Sequence, residues 1–148
     1  LDIGWNELRD EGLDQLKRRV NDWETRRWRG ELEGKSTLLH YKEKTEIGGE
    51  TCYDNSWGAV LLFGCRSNTL RLGWRERFLG GRVECVMCGG GEEETLEHFL
   101  VECEGLRDIR RRWDVSTVAD VMDFGGDGAR SKAFLEEAWR YRKIQMED

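Results

Sequence analysis

Cys85-Val86-Met87-Cys88-Gly89-Gly90-Gly91-Glu92-Glu93-Glu94-Thr95-Leu96-Glu97-His98-Phe99-Leu100-Val101-Glu102-Cys103 sets three thiols and one imidazole in a C-x2-C-x9-H-x4-C array. Donor set and spacing are those of a structural zinc site, with Cys85, Cys88, His98 and Cys103 as ligands to one Zn2+. The gap of two residues lets a tight turn aim both sulfurs of the first pair at one ion, and the second pair must come from another element. Thr95 is a capable N-cap, and Leu96, Phe99 and Leu100 fall on one helical face, so that element reads as a helix. Five positions separate His98 from Cys103, about 140° around an ideal α-helix, so an unbroken helix cannot present both to one metal. A helix ending near Glu102 or Cys103, with Gly105 as its exit, would swing the last thiolate back.

Four protein ligands leave no position for water, which argues against hydrolytic metal chemistry and for a metal that holds the fold together. Gly89, Gly90 and Gly91 permit the backbone angles of a turn around a cation. Glu92, Glu93 and Glu94 read as solvated charge and favourable bias at a helix N-terminus rather than as extra ligands. Three thiolates with one divalent ion carry about −1 in total, so any anion-binding capacity must come from arginines elsewhere.

Outward from this array, the sequence predicts a mainly α protein, a small helical domain with an embedded Cys3His module resembling a zinc knuckle. It divides into a helical region 1–82, the module 83–105 and C-terminal helices 106–148, expected to form one compact domain. Trp5, Leu8, Leu13, Leu16, Val20 and Trp23 mostly recur at spacings of three and four and predict an amphipathic helix from Trp5 to about Trp28, closed by Gly30 and Gly34. Fewer than three heptads favour an intramolecular packing face there over a coiled-coil seam. Ser36 is expected to cap a helix from Thr37 to about Lys44, and 47–55 to be a loop. Ser56 to Cys65, capped by Asn55 or Ser56, reads as a buried helix, although its pattern fits a strand as well. Asn68 or Thr69 opens the next helix, which aligns Leu70, Trp74 and Phe78 and closes at Gly80-Gly81. Helices from about Leu106 to Trp113, Val118 to Phe124 (capped by Ser116 or Thr117) and Ala129 to about Met146 complete the chain, the last carrying Phe134, Leu135, Ala138, Trp139, Tyr141 and Ile144.

The 148 residues contain no proline, against an average of about 5%, and 18 glycines take over as punctuation. The longest apolar run, Ala59-Val60-Leu61-Leu62-Phe63, is too short to span a bilayer, so no membrane association is expected. The N-terminus lacks the pattern of a signal peptide, and its lack of an initiator Met reads as a processed or excised fragment. Of five cysteines, Cys52 and Cys65 lie outside the array. They could pair, but reduced thiols suit the reducing compartment that a zinc-thiolate site implies, hence an intracellular location, nuclear or cytoplasmic.

The net charge of −6 opposes phosphate binding by the chain as a whole, but the charge is unevenly distributed. Between Arg66 and Arg82, five arginines (Arg66, Arg71, Arg75, Arg77, Arg82) face Glu76 alone, a local +4. Arg107, Arg110, Arg111 and Arg112 face Asp108, and six basic residues between Lys17 and Arg29 face Asp22 and Glu24. Arg71, Arg75, Arg77, Arg110, Arg111 and Arg112 are therefore the candidate contacts to RNA or DNA, because guanidinium forks suit phosphates. Against this, the six acids between Glu92 and Glu104 could fold onto these arginines and neutralise them. Trp74 is read as core rather than as a base-stacking platform. The competing expectation is a protein-interaction module, or self-association, through the first or last amphipathic helix.

Cys85, Cys88, His98 and Cys103, together with Lys35-Ser36-Thr37-Leu38, Arg66-Ser67-Asn68-Thr69-Leu70 and Glu94-Thr95-Leu96-Glu97, resemble the zinc-binding (CCHC) C-terminal region of non-LTR retrotransposon reverse transcriptases. The similarity covers about residues 35–113, and its ligand core is the specific part. The resemblance implies an element downstream of a polymerase that helps to bind template RNA or target DNA. It does not extend to catalysis. The chain has no Asp-Asp pair for two-metal chemistry, and a nuclease signature beginning Pro-Asp cannot occur without proline. His40 has no recognisable catalytic partner, and Gly89-Gly90-Gly91 lacks the Lys-Ser/Thr of a phosphate-binding loop. No enzymatic activity is expected.

Overall fold

Helix α1 runs over Leu13–Glu33 and ends at Gly34, whose N–H bonds back to Leu32 O. A computed structural model of the chain describes residues 9, 12–44 and 50–147. The expected start of the first helix at Trp5, its Leu8, and residues 47–49 of the expected loop lie outside the described residues. Gly30 does not end α1, which continues through it; a single mid-helix glycine costs only about 1 kcal/mol. Along α1, Leu16, Val20, Trp23 and Trp28 are half-buried and Leu32 is buried, whereas Leu13 is exposed.

The second predicted helix is a run of 3-10 turns, Ser36–Glu43, broken by non-helical angles at Leu38. Lys35, not Ser36, stands at its N-cap and makes no side-chain capping bond. Without that cap, and over only eight residues, α-helix nucleation gains little and tighter turns win.

The chain divides into compact units Leu1–Gly49 and Glu50–Asp148, and the second holds the main core. Helix α2, Trp57–Arg66, settles the helix-or-strand ambiguity: Ser56 Oγ accepts from Ala59 N at 3.1 Å, a side-chain N-cap. Its Leu61, Leu62 and Cys65 are buried against helix α6, Ala129–Glu147, which contributes Phe134, Leu135 and Ala138. Each fully buried Leu or Phe is worth about 1.5–3 kcal/mol, so this pairing carries much of the unit's stability. Helix α5, Val118–Met122, packs on both, and Thr117 and Asp120 form the capping box that starts it.

One expected helix is largely absent. Asn68 adopts a left-handed φ of 55°, and only α3, Gly73–Glu76, is α-helical before a 3-10 turn at Arg77–Leu79. Leu70 is buried, Trp74 packs against the core, and Phe78 is 79% exposed, so the three do not share one buried face. Helix α4, Arg107–Arg112, lies where it was expected. The described residues contain no strand, only an isolated antiparallel bridge between Glu84 and Glu93, so the fold is mainly α. No described helix is long and apolar enough to cross a membrane.

Candidate metal centre

The bridge at Glu84 and Glu93 belongs to a short hairpin. Cys85 N donates to Glu92 O at 2.8 Å and Glu94 N to Val83 O at 3.0 Å, while Gly89 and Gly91 take the left-handed φ values of 64° and 71° that its tip requires. Met87 N points at Cys85 Sγ, 3.4 Å away, which suits a sulfur that must carry negative charge. The second donor pair follows a cap: Thr95 Oγ1 accepts from His98 N at 3.0 Å, and His98 is buried just behind it.

Beyond His98 the helix widens. His98–Glu102 is a π-turn, and Cys103 N donates to His98 O at 2.7 Å, five residues back. The helix ends at Glu102, within the predicted bounds, but the π-turn rather than Gly105 brings the thiolate back. An α-helix would place Cys103 well round the barrel from His98, whereas the i to i+5 bond returns it over His98 before the chain leaves in an extended conformation at Cys103. Gly105 is therefore not the helix exit. It lies in a following 3-10 turn, where an added Cβ would sit 2.5 Å from Met87 O, so its lack of a side chain lets the two halves of the site touch.

Cys85, Cys88, His98 and Cys103 consequently bring their donor atoms within 4.8 Å of one another, and together they could hold a metal ion. Cys85 Sγ is 3.7 Å from Cys103 Sγ, and Cys88 Sγ is 3.5 Å from His98 Nε2. The opposite ring nitrogen, His98 Nδ1, lies 3.1 Å from Glu92 Oε2 and 3.8 Å from Glu102 Oε2. A carboxylate on Nδ1 holds the proton there and leaves Nε2 bare toward the thiols, the orientation found for metal-ligating histidines. Glu92 is solvated as its charge predicts, with a side chain 66% exposed, and also positions the ring, a role its sequence context does not reveal. Burial pushes the Cys103 thiol up to about 12, helped by the neighbouring Cys85, and burial also raises Cys85. A divalent cation reverses that preference, because the thiolate is the ligand.

Glu94 departs further from expectation. It is 1% exposed, accepts from Arg142 Nε and from Arg142 Nη2 at 2.8 Å, and receives Gly73 N at 2.9 Å. One carboxylate so ties the hairpin to α6 and α3. Arg66, counted above in a basic run, is 1% exposed and structural: it donates to Met122 O, Asp123 O and Glu50 and lies beside Tyr53. No spacing rule distinguishes such core arginines from exposed ones. Cys52 and Cys65 are both free thiols, and burial raises the latter far above its usual range.

Of the predicted nucleic-acid contacts, Arg71 Nη2 is 3.3 Å from Glu76 Oε1, Arg77 Nη2 is 2.5 Å from Glu93 Oε1, and Arg112 pairs with Glu137. Arg75 stands over the Trp74 ring at 5.9 Å, Arg111 is exposed, and Arg110 is buried. Arg110 and Arg111 share a recess with Arg107, while Arg71 lines a separate one beside Glu76 and Glu94. The acidic run does reach the arginines, through Glu93 to Arg77 and Glu104 to Arg107, but these are exposed pairs worth about 0–1 kcal/mol and readily exchanged. Trp113 Nε1 donates to Glu137 at 2.6 Å, so its indole edge is engaged inside the fold. Comparison with protein-family models, with curated proteins and with solved structures finds no match to this chain.

Proposed function

We propose that the chain is a noncatalytic, zinc-stabilised nucleic-acid-binding module. The separations of the donors support zinc. Bonds of about 2.3 Å to sulfur and about 2.0–2.1 Å to nitrogen put the edges of a tetrahedron at about 3.8 Å between sulfurs and about 3.6 Å between sulfur and nitrogen. The Cys85–Cys103 and Cys88–His98 separations, 3.7 and 3.5 Å, fall on those edges. Three thiolates favour zinc over the hard cations, and four protein ligands give it a structural role. When bound, zinc supplies cross-linking of the hairpin to the π-turn; the residues around it supply the rest.

The observation that carries nucleic-acid binding is the placement of α4. Its exposed Arg107 and Arg111, four residues apart on one face and beginning four residues after Cys103, set a basic surface beside the metal centre, with the buried Arg110 between them. The resemblance to the retrotransposon element points the same way. The test is metal analysis with oligonucleotide titration at several salt concentrations, using Cys88→Ser as control. One zinc per chain and binding that weakens with salt, with a logarithmic slope of about −0.7 to −0.9 per neutralised phosphate, are expected. Zinc-loaded protein that ignores RNA and DNA at low salt overturns the reading.

A second reading, a transposon-derived protein-interaction module with purely structural zinc, is favoured by exposed apolar residues. Trp57, Val60 and Phe63 recur every three residues on the open side of α2, and Ile144 and Met146 are exposed on α6. Concentration-dependent self-association, or capture of a protein without nucleic-acid binding, would select it.

A further inference from the structure

Beside α4 lies a recess of about 240 Å³ lined by Arg107, Arg110, Arg111, Asp114, Val115 and Ser116. Arg110 is only 8% exposed, and its Nη1 is the one buried side-chain nitrogen or oxygen among the described residues that has no hydrogen-bond partner. A buried guanidinium nitrogen left unpaired is costly, and placing Arg107 and Arg111 on the same face adds like-charge repulsion. As a metal-bound thiolate Cys103 would place negative charge near Arg110, but it makes no hydrogen bond to Nη1. Arg111 makes no ion pair with a described residue, Arg107 has only its exposed pair with Glu104, and the Ser116 hydroxyl is uncommitted. Asp114 on the rim is the one acid; its carboxylate is 94% exposed and its nearest cation is Arg130 at 4.0 Å. The recess is smaller than the roughly 300 Å³ at which pockets for drug-sized ligands begin, which suits a single charged group.

We infer that this recess is a phosphate site that seats one backbone phosphodiester of a nucleic acid, with the exposed Arg111 as its fork, Arg107 and Ser116 completing the shell, and the mostly buried Arg110 as its charged floor. It rests on the nucleic-acid reading and deepens it by naming where the strand is gripped. Phosphate fits better than a carboxylate because its oxygens can accept from several guanidinium forks at once.

The test uses the full zinc-loaded chain, an unstructured single-stranded oligonucleotide and, in parallel, inorganic phosphate. Arg111→Gln, an exposed substitution that leaves the fold and zinc content intact, is expected to weaken oligonucleotide binding about fivefold to tenfold on every sequence and to lower the salt slope by about one phosphate. Asp114→Asn is expected to tighten it, and the Arg110 Nη resonances should move on saturation. Should Arg110→Gln fail to fold, Arg111→Gln and Ser116→Ala still decide. Oligonucleotide binding untouched by Arg111→Gln and Ser116→Ala but weakened by Arg75→Gln overturns this site while leaving the proposed function standing. Absence of any oligonucleotide binding overturns both, and binding of inorganic phosphate alone assigns the recess to a free anion and overturns the backbone contact.

Discussion

His98 shows how much of the metal centre depends on a single neighbour. With Glu92 on Nδ1 at 3.1 Å, the ring can offer only Nε2 to the thiols, so Glu92→Gln should reduce zinc affinity about 10- to 100-fold in competition with a chelator, while Glu93→Gln, which breaks only the pair with Arg77, should not. The cysteines add a pH dependence of known sign. Zinc must displace thiol protons, and with Cys103 raised to about 12 the affinity should climb steadily with pH. The metal-free fold behaves oppositely. A thiol whose pKa is raised on folding contributes stability present below the unfolded value near 8.5 and lost as pH rises toward about 12, so whatever helical structure survives chelation should weaken further in alkaline buffer, read by far-ultraviolet circular dichroism, while zinc-loaded protein does not. The four ligands were legible because their spacing is chemical information carried along the chain. Glu92 was not, since nothing in Glu92-Glu93-Glu94 says which carboxylate the hairpin turns toward the ring.

At the level of elements, the unit around the centre depends on one close backbone approach and one buried ion pair. Gly105→Ala would drive a Cβ to 2.5 Å from Met87 O, so it should destabilise the unit and weaken zinc binding together, whereas Gly90→Ala, whose nearest neighbours are 3.9 Å away, should do neither. Glu94 and Arg142 are a fully buried, bidentate pair. Removing one partner leaves an uncompensated charge, and Arg142→Met is expected to cost about 3–5 kcal/mol in urea unfolding, with the double variant that combines Arg142→Met and Glu94→Leu less damaged than either single one. Cap chemistry placed α2 and α5, at Ser56 and Thr117, and apolar periodicity placed α4 and α6. The helix expected from Asn68 failed because Leu70, in a tight turn whose carbonyl accepts from Leu72 N, and Leu72, in extended backbone, are drawn into the core, and tertiary burial outweighed the helical spacing of Leu70, Trp74 and Phe78. The π-turn at His98–Glu102 was equally unreadable: the sequence showed that an α-helix could not serve both ligands, without saying how the backbone would yield.

For the molecule as a whole, metal and fold of the 50–148 unit should be one thermodynamic quantity. Structural zinc binds zinc-finger peptides with about 10–16 kcal/mol, comparable to the entire stability of a small domain at about 5–15 kcal/mol. Chelation should therefore abolish the near-ultraviolet circular dichroism of Trp139, which meets Phe99 edge-on at 5.8 Å, and retained signal after complete zinc removal would show that the core stands without the metal. The chain by itself determined the donor set, the helical class and the positions of most caps, because periodicity, cap chemistry and ligand spacing are local properties. Tertiary structure alone decided which charges serve the core and which face solvent. Arg66, Arg110, Arg142 and Glu94 are buried, whereas Arg71 and Arg111 remain exposed, because burial and pairing depend on partners as far apart as Glu94 and Arg142, which no local pattern encodes.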